Sequence, residues 1–334
     1  MSGSAAEVLA LLRAWHESDE EPEPLAVATS GSTGEPKRVL LSRRALRASA
    51  TATADRLGGP GQWVLNLPPT YVAGLQVLFR SVLAGTTPVV EDSLVAAADA
   101  MTAERRYVSL VPTQLHRALD DPDSVRALRT FSTVLVGGAA VPATLRARAA
   151  EAGVHVVATY GMSETCGGCV YDGVPLDGVG LAVAADGRIR LGGPVLFDGY
   201  DGRPDLTDRV LGDGWFVTQD VGRLDDDGRL EVLGRLDDMV VSGGVKVPGP
   251  AVAERLRAHV AVAAAEVVGV EDDEWGQRVV AFVVGDLSLD AARDWVAAVH
   301  PRTWAPREVL VVAELPLLDS GKVDRVRLQE WARA

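Results

Sequence analysis

The chain has 334 residues, 47% of them apolar and 24% charged, and a formal net charge of −13. That length can bury a large core and fill two domains. The acidic balance argues against a nucleic-acid-binding surface, which needs a basic excess, and no apolar run reaches the roughly 20 residues of a membrane span.

In chain order, a first helix is expected at about residues 5–16. The acidic, proline-punctuated run 17–23 separates it from a short apolar strand at 25–28. Next comes Thr29-Ser30-Gly31-Ser32-Thr33-Gly34-Glu35-Pro36-Lys37. Glycines and hydroxyls at this density can bring several donors to one point. Lys37 adds a positive charge, a set that suits polyphosphate oxygens. The spacing is not that of a Walker loop, because Gly31 and Gly34 stand too close and no Gly-Lys-Ser/Thr closes it. By composition alone the stretch is equally an ordinary polar turn. Ser42 is then placed to cap a helix running through Leu57.

Between residues 63 and 161 short apolar runs alternate with helical patterns. Strands are expected at 63–66, 87–90, 107–111, 133–136 and 154–159, with helices such as 112–119 and 141–152 between them. This alternation predicts parallel strands with helices packed outside. The continuous run Thr133-Val134-Leu135-Val136 suits a sheet covered on both faces. From about 178 to 233, glycine and aspartate punctuate short strands, 187–191 and 228–232 among them, which predicts a small antiparallel sheet. Beyond residue 236 follow a helix at 250–259, strands at 264–270 and 278–284, a helix at 289–299, a strand at 309–312 and a terminal helix. The expected class is α/β. A large N-terminal domain, residues 1–235, combines parallel sheet layers with a small antiparallel sheet, and a small α+β domain occupies 236–334.

Gly137-Gly138-Ala139 and Tyr160-Gly161-Met162-Ser163-Glu164-Thr165 each read as a turn directly after an apolar strand. Ligands of open parallel sheets bind beyond the carboxyl ends of strands, so both turns can line one crevice. An aromatic and a glycine can sandwich a flat base. Glu164 can hold a magnesium ion that bridges phosphates, or it is a solvated carboxylate. Asp220, in Thr218-Gln219-Asp220, can grip a ribose diol or is a turn aspartate. Cys166 and Cys169 are the only cysteines. With no second pair they make a poor zinc site and read as two reduced thiols in a loop, with a redox pair as the alternative.

Taken together these segments resemble the adenylate-forming superfamily of acyl-CoA synthetases, luciferases and peptide-synthetase adenylation domains, over residues from about 28 to 325. The resemblance implies that Thr29, Ser30, Gly31, Ser32, Thr33 and Gly34 form a phosphate loop. It adds Gly138, Ala139, Tyr160, Gly161, Met162, Ser163, Asp220 and Arg235 to the ATP and AMP contacts. Ser163 and Gln219 depart from that family's threonine and glycine. Lys37, Glu164 and Lys322, the last in Leu318-Asp319-Ser320-Gly321-Lys322, take the catalytic roles, with Glu164 also the metal ligand. Asp237 is the hinge of a mobile small domain, and Gly243 and Gly244 face CoA. The implied partners are ATP with Mg²⁺, a small carboxylic acid and CoA. The carboxylate attacks the α-phosphorus, releasing diphosphate, and the CoA thiol then displaces AMP.

The acid pocket is expected after the first parallel strand. From residue 72 to 85 the only charged residue is Arg80, and a charge in so apolar a helix needs a partner. Three remain open: a second carboxylate on the substrate, an internal salt bridge, or water reached by snorkelling. Leu67-Pro68-Pro69-Thr70-Tyr71-Val72-Ala73-Gly74-Leu75 resembles a run in the o-succinylbenzoate–CoA ligase branch of menaquinone biosynthesis, with Tyr71 where that branch carries histidine. That branch makes Arg80, Tyr71 and Gly74 acid contacts. Only 28 residues precede the phosphate loop, which argues against a long fatty-acyl tunnel. A carrier-loading adenylating enzyme and a non-catalytic nucleotide sensor stay open as alternatives. No secretory signal is visible, so a cytoplasmic home is expected. The residues do not declare an oligomeric state, a homodimer included.

Overall fold

The computed structural model describes residues 2–29, 37–317 and 323–333. The chain falls into two compact units: Met1–Ala184, Ile189–Thr218 and Leu224–Glu231 make the first, and Ala185–Arg188, Gln219–Arg223 and Val232–Ala334 the second.

A seven-stranded sheet organises the first unit among its described residues. Its order is Val89–Val90, Gln62–Leu65, Arg106–Leu110, Thr133–Val136, Val156–Met162, Gly167–Tyr171 and Val174–Pro175. The first five run parallel and the last two pairings are antiparallel. Successive side chains on a strand point to opposite faces. Trp63, Tyr107, Leu135 and Val157 accordingly enter one core cluster, and Val64, Val108, Val134 and Val136 the other. Helices Ala5–Glu17, Arg43–Arg56 and Val72–Leu83 bury residues in the first cluster. Helices Leu94–Ala100, Pro112–Leu119, Pro122–Leu128 and Ala143–Glu151 bury theirs in the second. Coverage of both faces explains why these strands are apolar without alternation.

Two smaller sheets follow. Arg38–Leu41 lies antiparallel between Leu25–Ala28 and Gly199–Tyr200. The other joins Gly180–Val183, Arg188–Gly192, Trp215–Leu224 and Leu211–Gly212 in that order, with Leu230–Arg235 paired to Trp215–Leu224.

In the second unit the sheet order is Val245–Pro248, Met239–Ser242, Gly276–Gly285 and Val262–Asp272. Glu308–Val311 pairs parallel to Gly276–Gly285. Val279, Ala281 and Val283 face a cluster with Val252, Leu256 and Val296 from helices Gly249–Arg257 and Leu289–Ala297. Val280 and Phe282 face another with Leu328 of helix Arg325–Trp331.

Several local expectations change. The strand expected at 87–90 is confined to Val89–Val90. The strand expected at 154–159 starts at Val156 and runs on to Met162, so Tyr160, Gly161 and Met162 are strand residues rather than a turn. The extension exists because Gly167–Tyr171 folds back and pairs with it. A Cβ on Gly161 would overlap the Gly167 backbone, so glycine is what lets the two strands approach. Asp220 stands within the strand Trp215–Leu224, not in a turn. Cys169 lies in the strand Gly167–Tyr171, not in a loop. Ser42 occupies the N-cap position, yet its side chain makes no capping bond.

Candidate active site

The helix Val72–Leu83 sets the first wall of the site. Tyr71 is its N-cap, and Gly74, Leu75, Gln76, Val77, Leu78, Phe79, Arg80 and Ser81 are all buried. Gln76 and Arg80 are one turn apart and therefore share a face. That face looks into a cavity of about 170 Å³ whose other walls include Ser109, Gly137, Gly138, Thr159, Gly161, Met162 and Tyr171. Apart from Tyr171, on the antiparallel strand Gly167–Tyr171, those residues stand near or just beyond the carboxyl ends of three adjacent parallel strands, where open sheets hold ligands.

The fold thus brings Arg80, Gly138, Gly161 and Met162 to one cavity. Tyr71 and Gly74 are not among its walls. Tyr71 is exposed, and a Cβ on Gly74 would overlap the Pro68 backbone, so Gly74 serves helix-to-loop packing. Gln76, Ser109, Thr159 and Tyr171 were not singled out by the sequence reading. A polar residue at helical spacing from Arg80 and a serine interrupting an apolar strand were the available signals.

Arg80 is only 8% exposed, which excludes a snorkelling head group. Its Nη2 donates to Thr53 Oγ1 at 3.2 Å, and its guanidinium lies 4.9 Å from the Trp63 ring centroid. No carboxylate among the described residues pairs with it, and its buried Nε has no partner. Burial pushes its pKa below the ordinary arginine value, opposed by Tyr171. Of the three partners expected for this charge, bulk water is excluded by burial and an internal salt bridge is missing among the described residues. Gln76 Nε2 donates to the Cys166 carbonyl at 2.7 Å, while its buried Oε1 is unpartnered.

Glu164 belongs to the short turn Ser163–Thr165 that ends the extended strand. The turn is fixed by Met162 N–H donating to Thr165 Oγ1 at 2.9 Å, and by Phe197 N–H donating to the Glu164 carbonyl at 2.9 Å. Glu164 Oε1 accepts from the Tyr200 hydroxyl at 2.8 Å. Burial, and then the charge and hydrogen bond of Glu164, push the Tyr200 pKa well above its ordinary value. Lys37 Nζ stands 5.5 Å from the same ring centroid. Tyr200 therefore ties the two catalytic candidates of this unit together. It was not read from the sequence, because nothing local marks it.

No group of three or more histidine, cysteine, aspartate or glutamate side chains forms a metal cage among the described residues. One carboxylate with an oxygen to spare suits Mg²⁺, which keeps water and phosphate ligands and takes few from protein. Thr29 N–H donates to the Lys37 carbonyl at 2.8 Å, closing the base of the glycine- and hydroxyl-rich segment. Ser30, Gly31, Ser32, Thr33 and Gly34 lie outside the described residues, as does Lys322. Leu317 and Val323 form an antiparallel bridge on either side of the latter. Ala139 is exposed just beyond the strand Thr133–Val136.

In the second unit Arg235 gathers two of the expected residues. Its Nη1 lies 3.7 Å from Asp220 Oδ1 and its Nε donates to Asp237 Oδ1 at 3.0 Å. Gly243 and Gly244, with φ of 57° and 77°, make the two-residue turn between Met239–Ser242 and Val245–Pro248. Positive φ at both central positions is the demand of a tight primed hairpin turn.

The thiols are inert. Cys166 and Cys169 are buried and unpaired, and burial pushes both up, Cys169 to about 12. Because the thiolate is the reactive form, a redox pair has no basis here. Native protein at pH 8 is expected to take up no aromatic disulfide reagent over minutes. Both thiols should react after unfolding in guanidinium, and a fast native phase would refute the burial argument.

Residues 15–197 match the AMP-binding enzyme family, and residues 251–322 match the AMP-binding enzyme C-terminal domain. The chain belongs to the AMP-binding enzyme family. Among AMP-binding enzymes it is 48% identical to a probable 2-succinylbenzoate–CoA ligase of Mycobacterium tuberculosis H37Rv, over 96% of this chain and 87% of that protein. It is 32% identical to 2-succinylbenzoate–CoA ligase of Escherichia coli K12, over 91% of this chain and 68% of that one. The o-succinylbenzoate CoA synthetase of Bacillus subtilis, solved in complex with its acyl-adenylate intermediate, superimposes with a TM-score of 0.75 at 29% identity. That match covers 91% of this chain and 68% of the solved one. The same enzyme has been solved with ATP and magnesium ion, and there the TM-score is 0.74. This AMP-binding enzyme has the mixed α/β architecture expected, with one largely parallel sheet and separate antiparallel ones.

Proposed function

We propose that this AMP-binding enzyme is an AMP-forming acid–thiol ligase of menaquinone biosynthesis. It converts 2-succinylbenzoate, ATP and CoA to 2-succinylbenzoyl-CoA, AMP and diphosphate. The observation that carries the choice of acid is Arg80: a buried guanidinium at the cavity wall, with no carboxylate partner among the described residues and with Nε open. An uncompensated buried charge is costly, and a substrate with a second carboxylate removes that cost. Relatives at 48% and 32% identity named for this acid support the same reading.

No base is needed at the attacking oxygen. The difficulty is assembling anions and stabilising charge on the α-phosphoryl group. Thr29 to Gly34 would present donors to the phosphates, and Lys37 and Lys322 would supply positive charge at the reacting oxygens. Gly138, Ala139, Tyr160, Gly161, Met162 and Ser163 would bracket the nucleotide, with Asp220 and Arg235 on the ribose. Mg²⁺, held by Glu164 through the oxygen not bonded to Tyr200, would neutralise phosphate charge. The domains we infer are residues 1–235, binding ATP and acid, and 236–334, carrying Lys322. Rotation about Asp237 would exchange Lys322 for Gly243 and Gly244 when CoA enters. No described helix is long and apolar enough to cross a membrane. The cytoplasm, which supplies ATP and CoA, is the compartment this reaction implies.

The test is acid-dependent exchange of labelled diphosphate into ATP, followed by loss of free CoA thiol. Exchange with 2-succinylbenzoate and stoichiometric thiol loss are expected. Exchange without thiol loss would transfer the product to a carrier protein instead, and no exchange with any acid would leave a nucleotide sensor.

A further inference from the structure

Arg80 is one end of a hydroxyl chain. Its Nη2 donates to Thr53 Oγ1 at 3.2 Å, and Thr53 Oγ1 is 3.0 Å from the Tyr171 hydroxyl. The chain links helix Arg43–Arg56, helix Val72–Leu83 and strand Gly167–Tyr171. Counting protons orders it. The guanidinium can only donate, so Thr53 accepts there. One proton lies between Thr53 and Tyr171, and among the described residues no further acceptor is bonded to the other hydroxyl proton of the pair. Thr53 and Tyr171 are both buried, and of the two only Tyr171 walls the cavity that Arg80 faces. A surplus proton on Thr53 would stay unsatisfied, which is costly for a buried hydroxyl. On Tyr171 it can meet a ligand oxygen.

We propose that Tyr171 is a second anchor for the non-reacting carboxylate of the acid, its phenolic O–H aimed into the cavity by the relay from Arg80 through Thr53. The inference rests on the reading of Arg80 as the recognition group for that carboxylate. A carboxylate offers two oxygens and about four lone-pair sites, so it can accept from the guanidinium and the phenol together. Trp63 adds a cation–π contact, its ring centroid 4.9 Å from the guanidinium carbon, which leaves the buried Nε without a partner. Thr53 is a positioning residue, since it acts through its neighbours and does not line the cavity. The arrangement selects acids with a second carboxylate over otherwise identical acids without one.

The experiment measures KM by acid-dependent diphosphate exchange for 2-succinylbenzoate and for the same keto acid lacking the ring carboxylate. Tyr171→Phe, which keeps the ring and its packing, is expected to raise KM for the diacid about tenfold, the scale of one hydrogen bond to a charged group. KM for the monoacid should change less than twofold. Thr53→Val should give the same split, and Thr53→Ser, which restores the hydroxyl, should return the diacid KM to its starting value. Melting temperatures of all variants are recorded alongside. Equal KM changes for both acids, or none, in Tyr171→Phe would overturn the anchor. If Arg80→Met in that case raises KM for the diacid far more than for the monoacid, the reading of Arg80 survives. If Arg80→Met changes both KM values equally, the substrate reading falls with it.

Discussion

Lys322→Ala is expected to lose the adenylation half-reaction by about 10²–10³-fold, the scale set by removing one charge-stabilising donor from a reacting oxyanion. Transfer of a supplied acyl-adenylate to CoA should keep its rate. The asymmetry follows from the two chemistries. In the first step two anions, a carboxylate and a triphosphate, must meet, and charge builds on the α-phosphoryl oxygens. In the second a thiol attacks an already activated acyl group and AMP leaves, so the same cation is not required. Diphosphate exchange reads the first step, and thioester formation from synthetic acyl-adenylate reads the second. Equal loss of both would sink the account in which the small domain presents different residues to the two steps.

Arg80→Met is expected to act in opposite directions on stability and on substrate use. Without acid the guanidinium sits buried beside Thr53, Trp63 and Tyr171 with no carboxylate among the described residues. Replacing a poorly compensated buried charge by an apolar chain of similar volume is often stabilising. A gain of about 1 kcal/mol, or roughly 2–4 °C in melting temperature for a unit of this size, is the expected result. KM for 2-succinylbenzoate should rise about 100-fold, within the range for removing one partner of a desolvated charge pair. Ligand-dependent stabilisation by the diacid should disappear in the same variant. An unchanged or lowered melting temperature would show that the cavity already satisfies the arginine without substrate.

Much of the parallel sheet was legible because its strands are short, continuous and apolar. Leu25–Ala28, Thr133–Val136 and the helix Pro112–Leu119 have the expected bounds. Val156–Met162 outran its expected end because Gly161 reads locally as a turn, while its structural reason is a partner strand that itself contains two glycines. The short helices Leu94–Ala100 and Pro122–Leu128 carry too few turns to show a period, and were not anticipated. At the site, the sequence marks residue types and hides their company. Arg80 was visible as a lone charge, but Thr53 is 27 positions from it and Tyr171 is 118 from Thr53. Glu164 was visible within a motif, but its hydroxyl partner Tyr200 lies 36 positions on. Such meetings are products of topology, and no local pattern encodes them.

The backbone closures at the feet of the two segments proposed to handle phosphate have a further consequence. Thr29 is bonded to Lys37, and Leu317 is bridged to Val323. In each case the chain entropy of bringing the two ends together is spent when that closing contact forms, not when nucleotide arrives. Each closure is made by residues flanking its segment, so a substitution inside the segment leaves the closing contact itself in place. Selection at those positions acts through chemistry rather than through folding.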